Sequence, residues 1–208
     1  MKLRIAMISV LALISLASAD VLWDQSSFDP WGAGFFNSES GEPPFGITMH
    51  AVNDVAVEGG GWVINSITTY YSGLDFAWGY GIFEGYLHVY PISDVFPVED
   101  PTADALVPMT GTWADDHWIV KAEGLNLNLT PGNYWIGITP IAPGGMWGPE
   151  IHLSTDTLVG ADTASYDPFG MPPAWFSFNP GVDASILIEG EWSVATDNAS
   201  WSSIKALY

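Results

Sequence analysis

The sequence of 208 residues contains no cysteine, so no disulfide bond stabilises the fold. Stability must come from a hydrophobic core instead. The length allows one, because a chain of about 190 residues buries about 70% of the surface that it exposes when unfolded. The sequence therefore predicts one large domain with a substantial core rather than two small domains.

Basic residues are also scarce, with four Lys and Arg against 24 Asp and Glu. Lys2 and Arg4 lie in the first 19 residues, so residues 20–208 keep Lys121 and Lys205 against all 24 acids, a net charge of −22. Nucleic acids and anionic lipid surfaces are poor partners for such a chain, so we expect no nucleic-acid binding, because neutralising phosphates requires basic residues. The carboxylates must be hydrated, screened by salt or bound to divalent cations.

Helical periodicity is hard to find between residues 20 and 192. Short apolar or alternating runs are separated by clusters of Gly, Pro, Asn and Asp, which is typical of a β-sandwich or barrel. The predicted strands are residues 21–24, 47–52, 62–71, 83–90, 117–121, 134–139, 174–178 and 184–192, with lesser strands between them. The fold class is therefore all-β, a single antiparallel β-sandwich.

The stretch LNLTPGNYWIGITP raises the question of whether Trp135 contacts a ligand or packs inside the scaffold. Alternation in its second half places Ile136 and Ile138 on one face of a strand, and Trp135 and Thr139 on the other. Large aromatic side chains dominate the cores of sandwiches. We therefore expect Trp135 to be buried beneath a neighbouring loop or sheet.

Two other runs show the same alternation. In EGYLHVYP, Leu87 and Val89 lie opposite Tyr86, His88 and Tyr90. In DASILIEGEW, one face carries four residues, which are Ile186, Ile188, Gly190 and Trp192. Strands with one apolar and one polar face are typical of antiparallel sheets packed face to face.

Residues 1–19 have the pattern of an export signal. Lys2 and Arg4 precede an apolar run at residues 5–16, and Ala-Ser-Ala at 17–19 is a small-residue cleavage site. The alternative, a membrane anchor, is disfavoured because the run is shorter than the roughly 20 residues that cross a bilayer. We expect an exported protein whose mature chain begins at residue 20 and carries no transmembrane segment.

The predicted organisation has three parts: the signal at 1–19, the sandwich at 20–192 and a tail at 193–208. In the tail, Trp201, Ile204, Lys205 and Tyr208 are spaced one helical turn apart. This spacing indicates a short amphipathic helix. The alternative is a frayed terminus that docks one tryptophan on the sandwich.

The segments GGWVINSITTYY, LNLTPGNYWIGI and DASILIEGEW, taken together, resemble a group of secreted bacterial β-sandwich domains. In that group Gly-Gly-Trp-x-Ile opens the main sheet, Leu-x-Pro-Gly-x-Tyr-Trp forms a hairpin, and a strand with Glu-Gly closes the domain. The resemblance covers residues 21–192 and implies a jelly-roll-like fold and an extracellular or cell-surface location. Many members carry a C-terminal sorting or anchoring segment and have no assigned activity, so no catalytic residue is carried over.

Three tryptophans lie among glycines, where regular strands are unfavourable, and are the candidate ligand contacts: Trp31, Trp78 and Trp147. An indole on a loop can stack on the apolar face of a sugar ring while nearby Asp or Asn binds hydroxyls. A polysaccharide or cell-surface glycan is therefore the expected partner. The alternative is that these side chains plug the open end of the sandwich.

Calcium is the metal ion most compatible with the sequence, because it binds carboxylate and carbonyl oxygens of irregular loops. VEDPTADA offers the candidate ligands Glu99, Asp100 and Asp104. STDTLVGADTASYD offers the candidate ligands Asp156, Asp162 and Asp167. Neither segment matches an EF-hand loop, and the alternative is an acidic surface that keeps the protein soluble.

Signals for catalysis are weak. The four histidines are scattered singly, without zinc-protease spacing, and no Gly-x-Ser-x-Gly motif is present. The sequence therefore predicts a non-catalytic module at the cell surface that is adhesive, structural or glycan-binding. The alternatives are a carbohydrate-active hydrolase with two facing carboxylates, and an envelope or filament subunit that assembles through edge strands.

Overall fold

The computed structural model describes residues 19–32, 34–40, 48–72, 81–142, 150–167, 174–177 and 181–193. Thirteen strands account for most of this part of the chain. They are β1 Asp20–Gln25, β2 Gly34–Phe36, β3 Ser38–Ser40, β4 Thr48–Val57, β5 Trp62–Ser72, β6 Glu84–Pro91, β7 Ala105–Ala114, β8 His117–Leu129, β9 Gly132–Ala142, β10 Glu150–His152, β11 Ala164–Asp167, β12 Ala174–Ser177 and β13 Ile186–Trp192. A 3-10 turn, Pro101–Ala103, precedes β7.

Eleven of the strands form one curled, mixed sheet in the order β1-β13-β5-β8-β7-β6-β9-β3-β4-β11-β12, and β9 also pairs directly with β4. The other two attach off this path, because β10 pairs with both β5 and β2. The pairings are antiparallel except that of β3 with β9. Strand β7 turns the corner of the curl. Its residues 105–108 pair with β6, whereas residues 109–114 pair with β8.

The main core lies inside the curl, between β5, β8 and β13 on one side and β4, β6 and β9 on the other. Its largest fully buried side chains include Trp62, Ile64, Ile67, Ile136 and Ile138. We call the side of β4, β6 and β9 that contacts this core the inner face, and the opposite side the outer face.

Alternation predicted these faces correctly in β6 and β9. Leu87 and Val89 pack against the main core, as do Ile136 and Ile138. Trp135 belongs to a second, smaller core on the outer face. Only 1% of its surface is exposed, so the prediction that Trp135 is buried is confirmed.

The all-β prediction is confirmed, and the finer prediction of a jelly-roll-like sandwich stays a prediction. The predicted strands all have counterparts, although several are longer than expected, notably β4, β8 and β9. The predicted export signal at 1–19 and the predicted tail at 193–208 lie outside the described residues, apart from residues 19 and 193. Within the described ranges, no helix has the length and apolar character needed to cross a bilayer.

Two details differ from expectation. The turn that contains Pro131 does not close a hairpin, because β8 pairs with β5 and β7 while β9 pairs with β6, β3 and β4. The turn instead connects the two sides of the curl. Trp192 leaves the core face that Ile186 and Ile188 occupy: a register shift after Glu189 precedes it, and it lies 46% exposed with its ring edge-on to Trp62.

Candidate functional site

The outer face of β4, β6 and β9 carries polar and aromatic side chains on strands whose inner face is aliphatic. Tyr86, His88 and Tyr90 come from β6, because alternate residues of a strand point to opposite sides. The segment β11–β12 covers part of this face. Tyr166 and Trp175 from that segment pack with Tyr90 and Trp135 in the second core.

Beside this second core lies an open groove of about 650 Å³, which we call the Trp135 groove. Its aromatic lining is Trp23 and Trp135, and its apolar rim includes Val95 and Val159. Its polar lining residues are Asp54, Ser93, Asp94 and Asn133. The volume is in the range of small-molecule sites, and the mixture of aromatic and a few polar groups is typical of them.

Two polar atoms of this lining have no hydrogen-bond partner among the described residues. They are Nε1 of Trp135, a donor, and Oδ1 of Asp54, an acceptor, and both are buried. Trp135 and Asp54 are directly opposite each other in the β4–β9 ladder. Leaving buried polar groups unpaired costs about 1–3 kcal/mol each. Both atoms lie behind the lining, so a ligand in the groove would satisfy them only if the lining shifted.

The other carboxylate oxygen of Asp54 binds the backbone that forms one wall of the groove. Oδ2 accepts a hydrogen bond from the backbone N–H of Ala161 at 2.8 Å. Gly160, with a φ of 86°, allows this approach, since a Cβ there would overlap the Asp54 carboxylate. Burial raises the pKa of Asp54, the Ala161 N–H opposes this, and the charge of Asp162 adds to the rise.

A buried polar network fixes the position of Trp23 on the other side of the groove. Its Nε1 donates to Oε1 of Gln25 at 3.1 Å, and Nε2 of Gln25 donates to Oδ2 of Asp183. Asn53 donates to the carbonyl oxygen of Ala184 at 2.8 Å and lies 3.4 Å from Gln25 Oε1. Burial raises the pKa of Asp183 to about 6, and the nearby carboxylates of Asp54 and Asp162 contribute.

A second constellation lies on the outer face, where four residues form what we call the histidine row: Glu39, His50, His88 and Asp104. Nδ1 of His88 lies 2.6 Å from Oδ2 of Asp104, and Nε2 of His88 lies 3.2 Å from Nδ1 of His50. Nε2 of His50 is 3.6 Å from Oε2 of Glu39. Both imidazoles are fully buried, whereas about a fifth of each carboxylate side chain is exposed.

Part of this row has the spacing of a catalytic triad. Asp104 contacts Nδ1 of His88, and Nε2 of His88 lies 2.9 Å from Oγ1 of Thr139. Thr139, however, is 0% exposed, and its hydroxyl donates to Oδ1 of Asn37 at 2.8 Å. A substrate has no access to this hydroxyl, so we assign the contact to the scaffold rather than to nucleophilic catalysis.

The candidate ligand contact Trp31 is 88% exposed and is not among the residues that line the Trp135 groove. Its N–H donates to Oδ1 of Asp29 at 3.0 Å, and the N–H of Gly32 donates to the carbonyl oxygen of Asp29. This turn presents the indole to solvent. Trp78 and Trp147 lie outside the described residues.

The first set of candidate calcium ligands surrounds the 3-10 turn. Oδ1 of Asp100 caps that turn by accepting from Thr102, Glu99 accepts from the N–H of Val98, and Asp104 turns inward to His88 and Tyr90. These three carboxylates therefore bond to groups of the protein rather than converging on one point.

The second set is also dispersed. Asp156 accepts from the N–H of Ser27, and Asp162 accepts from Gly181 N–H at 2.6 Å, while Asp167 ends β11. Among the described residues, no group of three His, Asp or Glu side chains has metal-ligand geometry. Calcium binding stays a prediction.

Sequence reasoning missed the histidine row because His50 and His88 are 38 residues apart and neither belongs to a spaced motif. One signal was available. A face with Tyr86, His88 and Tyr90 is too polar for a simple core and too aromatic for a hydrated surface. That composition indicates a covered polar face, although it does not identify the partners.

Comparison with protein-family models, with curated proteins and with solved structures finds no match for this chain. The resemblance to secreted β-sandwich domains stays a prediction. Function is therefore inferred from the chemistry of the Trp135 groove and its surroundings.

Proposed function

We propose that the protein is an exported, non-catalytic binding module that holds a neutral, hydroxyl-bearing ligand in the Trp135 groove, with a polysaccharide or cell-surface glycan as the ligand class. The observation that carries the proposal is a groove of small-molecule size with an aromatic and polar lining, behind which lie an unpaired donor and an unpaired acceptor. If the lining shifts to admit a ligand, Nε1 of Trp135 would donate to a ligand oxygen, and Oδ1 of Asp54 would accept from a ligand hydroxyl. Sugar hydroxyls can serve as both partners.

The aromatic lining supports the same ligand class. Trp23 is partly exposed, and its hydrogen bond to Gln25 restricts the orientation of the ring. An indole held in a fixed orientation is suited to stacking on the apolar face of a sugar ring, with little entropy lost on binding. Ile92 and Val95 at the rim add apolar contact area.

Charge favours a neutral ligand over an acidic one. Asp54 and Asp94 both line the groove, and Lys121 is the sole Lys or Arg among the described residues. Lys121 is paired with Glu123 and Glu189 at 3.1 and 3.2 Å. A uronic acid or a sulfated sugar would enter this groove without a counter-charge, so we expect discrimination against it.

Isothermal titration calorimetry with neutral and uronic-acid oligosaccharides tests the proposal. We expect binding of neutral chains alone, and a loss of at least about tenfold in affinity for Trp23→Ala, which removes the stacking surface. Trp135→Phe keeps most of the ring but removes the N–H, and about a tenfold loss is expected.

Trp31→Ala is the matched control, since it removes an exposed indole that does not line the groove. It should leave the affinity unchanged. Loss of binding in Trp31→Ala together with normal binding in Trp23→Ala would place the ligand at Trp31 instead of the groove. Absence of binding to every neutral oligosaccharide would contradict the proposed ligand class.

A second candidate function, glycoside hydrolysis, is favoured by one observation. Asp54 and Asp94 line the same groove, and burial raises the pKa of Asp54, as a general acid requires. Reducing ends released from a bound neutral oligosaccharide, and lost in Asp94→Asn, would support hydrolysis. Binding without such release supports the module.

A further inference from the structure

One wall of the Trp135 groove is an irregular loop, residues 155–162, that lies between β10 and β11. Three residues of this loop line the groove: Val159, Gly160 and Ala161. Because the loop has no regular secondary structure, its position depends on how its two ends are held.

Both ends of this loop are attached to the short segment centred on Asp183. At the first end, the N–H of Ser154 donates to the carbonyl oxygen of Asp183 at 2.8 Å. At the second end, the N–H of Thr163 donates to the carbonyl oxygen of Val182 at 3.2 Å. Oγ1 of Thr163 in turn accepts from the N–H of Ala184 at 2.6 Å. The backbone around Asp183 is therefore the base of this wall.

The side chain of Asp183 is connected to the opposite wall, which carries Trp23. Oδ2 of Asp183 accepts from Nε2 of Gln25, and Oε1 of Gln25 accepts from Nε1 of Trp23 at 3.1 Å. Asp183 and Gln25 are each 2% exposed, and neither is among the residues that line the groove. Both can therefore affect a ligand only through the residues that do line it.

The partners of Gln25 fix the orientation of its amide. A side-chain amide can exchange the positions of its oxygen and nitrogen with little change in shape. In the observed orientation the oxygen faces a donor, the Trp23 N–H, and the nitrogen faces an acceptor, the Asp183 carboxylate. The reversed orientation would place donor against donor and acceptor against acceptor. Asp183 therefore keeps the Gln25 oxygen directed at Trp23.

Asn53 supports the same orientation. Its amide pairs with the backbone of Ala184, since Oδ1 accepts from the N–H at 3.2 Å and Nδ2 donates to the carbonyl oxygen at 2.8 Å. This two-point contact opposes reversal of the Asn53 amide. Nδ2 consequently also faces Oε1 of Gln25, at 3.4 Å, and adds a second donor on the side of Trp23.

The carboxylate of Asp183 also faces the loop itself. Burial raises the pKa of Asp183, whereas Gln25 and the backbone N–H of Val159 lower it. One carboxylate thus interacts with a residue of the loop wall and with the residue that holds Trp23.

We propose that Asp183 is a positioning residue of the Trp135 groove, which holds the two walls in place by fixing Trp23 through Gln25 on one side and the 155–162 loop on the other. The inference rests on the proposed binding function, since the positions of the walls matter to a ligand that lies between them. Because Nε1 of Trp23 is bonded to Gln25, the indole offers that ligand its ring rather than its N–H.

Hydrogen exchange of the Trp23 indole N–H in the full-length protein tests the positioning without any ligand. Asp183→Ala should speed this exchange at least about fivefold, because the Gln25 amide can then reverse and no longer accepts from the N–H. Asp183→Asn keeps an acceptor oxygen for Gln25, so its rate should stay within about twofold of the wild type. Trp23→Phe identifies the resonance in nitrogen-15 spectra.

Gln25→Met tests the route between the two residues. It keeps the length of the side chain but removes the hydrogen bonds, so it should speed the Trp23 exchange as much as Asp183→Ala does. Combining the two substitutions should add nothing further, since both act through one contact. A larger effect in the double variant would overturn the route through Gln25.

The indole N–H of Trp62, which is 1% exposed in the main core, reports whether each variant is folded. Unchanged Trp23 exchange in Asp183→Ala, with Trp62 still protected, would overturn the proposal. If Trp62 loses its protection in that variant, Gln25→Met alone decides, and unchanged Trp23 exchange in it is the contradicting result.

Asp156→Ala is the matched control. Asp156 is an exposed carboxylate of the same loop and accepts from the N–H of Ser27 at 3.1 Å, but it does not contact Gln25. Its removal should leave the Trp23 exchange at the wild-type rate. Equal acceleration in Asp156→Ala and Asp183→Ala would assign the effect to the loop in general and would overturn the role of Asp183.

Calorimetry with a neutral oligosaccharide tests the consequence for binding. Asp183→Ala should lose about fivefold in affinity, and Asp183→Asn should stay within about twofold of the wild type. Unchanged affinity in Asp183→Ala, despite faster Trp23 exchange, would overturn the proposal. Absence of binding in the wild type would instead contradict the proposed function, and the exchange rates would still decide whether Asp183 positions Trp23.

Discussion

The two faces of the β4–β6–β9 sheet share a backbone but achieve stability in different ways. On the inner face, Ile136 and Ile138 are completely buried among aliphatic neighbours, and no directional contact fixes their partners. On the outer face, His88 and Thr139 are equally buried, yet each side chain makes defined hydrogen bonds. The volume of the side chains therefore determines which residues fit on the inner face, whereas the pairing of polar atoms determines which residues fit on the outer face.

The comparison also shows why candidate function lies on the outer side. An apolar face packed against other apolar side chains has nothing left to bind. On a buried polar face nearly every donor and acceptor has a hydrogen-bond partner. A donor or acceptor without one therefore indicates a bound ligand or a bound proton. On the outer face, Trp135 and Asp54 are among the described side chains with a buried polar atom that has no hydrogen-bond partner.

The largest effect is expected from the inner face. Ile138→Ala should lower the free energy of unfolding by about 2–5 kcal/mol, because it removes buried methylene groups and leaves a cavity. Ile138→Val, a smaller truncation, should lower it by about 0.5–1.5 kcal/mol. Urea denaturation at pH 7 measures both. Equal effects of the two variants would show that the inner face is not limited by volume.

A smaller change in stability, this time a gain, is expected from substituting Asp183, a buried polar residue on the inner side. Burial raises the pKa of Asp183 to about 6, so the ionised form is disfavoured in the folded state. The stability that protonated Asp183 contributes is fully present below about pH 4 and is lost as the pH rises through 6. Asp183→Asn should therefore stabilise the protein at pH 7, by up to about 3 kcal/mol.

Urea titrations at pH 4.5 and pH 7 measure this change. The gain from Asp183→Asn should shrink at the lower pH, where wild-type Asp183 is protonated. Asp156→Asn, at an exposed carboxylate, is the control and should change little at either pH. A variant less stable than the wild type at pH 7 would mean that the charge on Asp183 is needed by Gln25.

The smallest effect is expected from one hydroxyl of the outer face. Thr139→Val keeps the shape of the side chain but removes the hydrogen bond to Asn37, and should destabilise by about 1 kcal/mol. Thr112→Val, at an exposed strand position, should have no measurable effect. If Thr139→Val lowered the free energy of unfolding as much as Ile138→Ala does, the two faces would not differ in how substitutions affect stability.

Much of the architecture was predictable because it depends on local pattern. Alternation in EGYLHVYP and NYWIGIT assigned Leu87, Val89, Ile136 and Ile138 to the core correctly. What alternation could not supply was strand order. Nothing local in LNLTPGNYW indicates that β8 and β9 separate to opposite sides of the curl, since that depends on which distant strands compete for each edge.

The candidate site was less predictable than the fold. Trp135 was correctly expected to be buried, but its lining of a groove depends on Asp54, 81 positions earlier in the chain and opposite it in the ladder. The histidine row likewise combines three strands and a turn. Side chains that long-range strand pairing brings together form no recognisable motif in the sequence. A single sequence contains no other information about their contact.

The pairing of β1 with β13 has a mechanical consequence. Asp20 lies opposite Gly190 and Gln25 opposite Ile186, so the outward ends of the first and last strands lie side by side. A force that pulls both ends of the domain apart would break the hydrogen bonds of this pair one after another. Each of these hydrogen bonds is individually weak. A domain built this way withstands traction far better when it is tethered through one end alone.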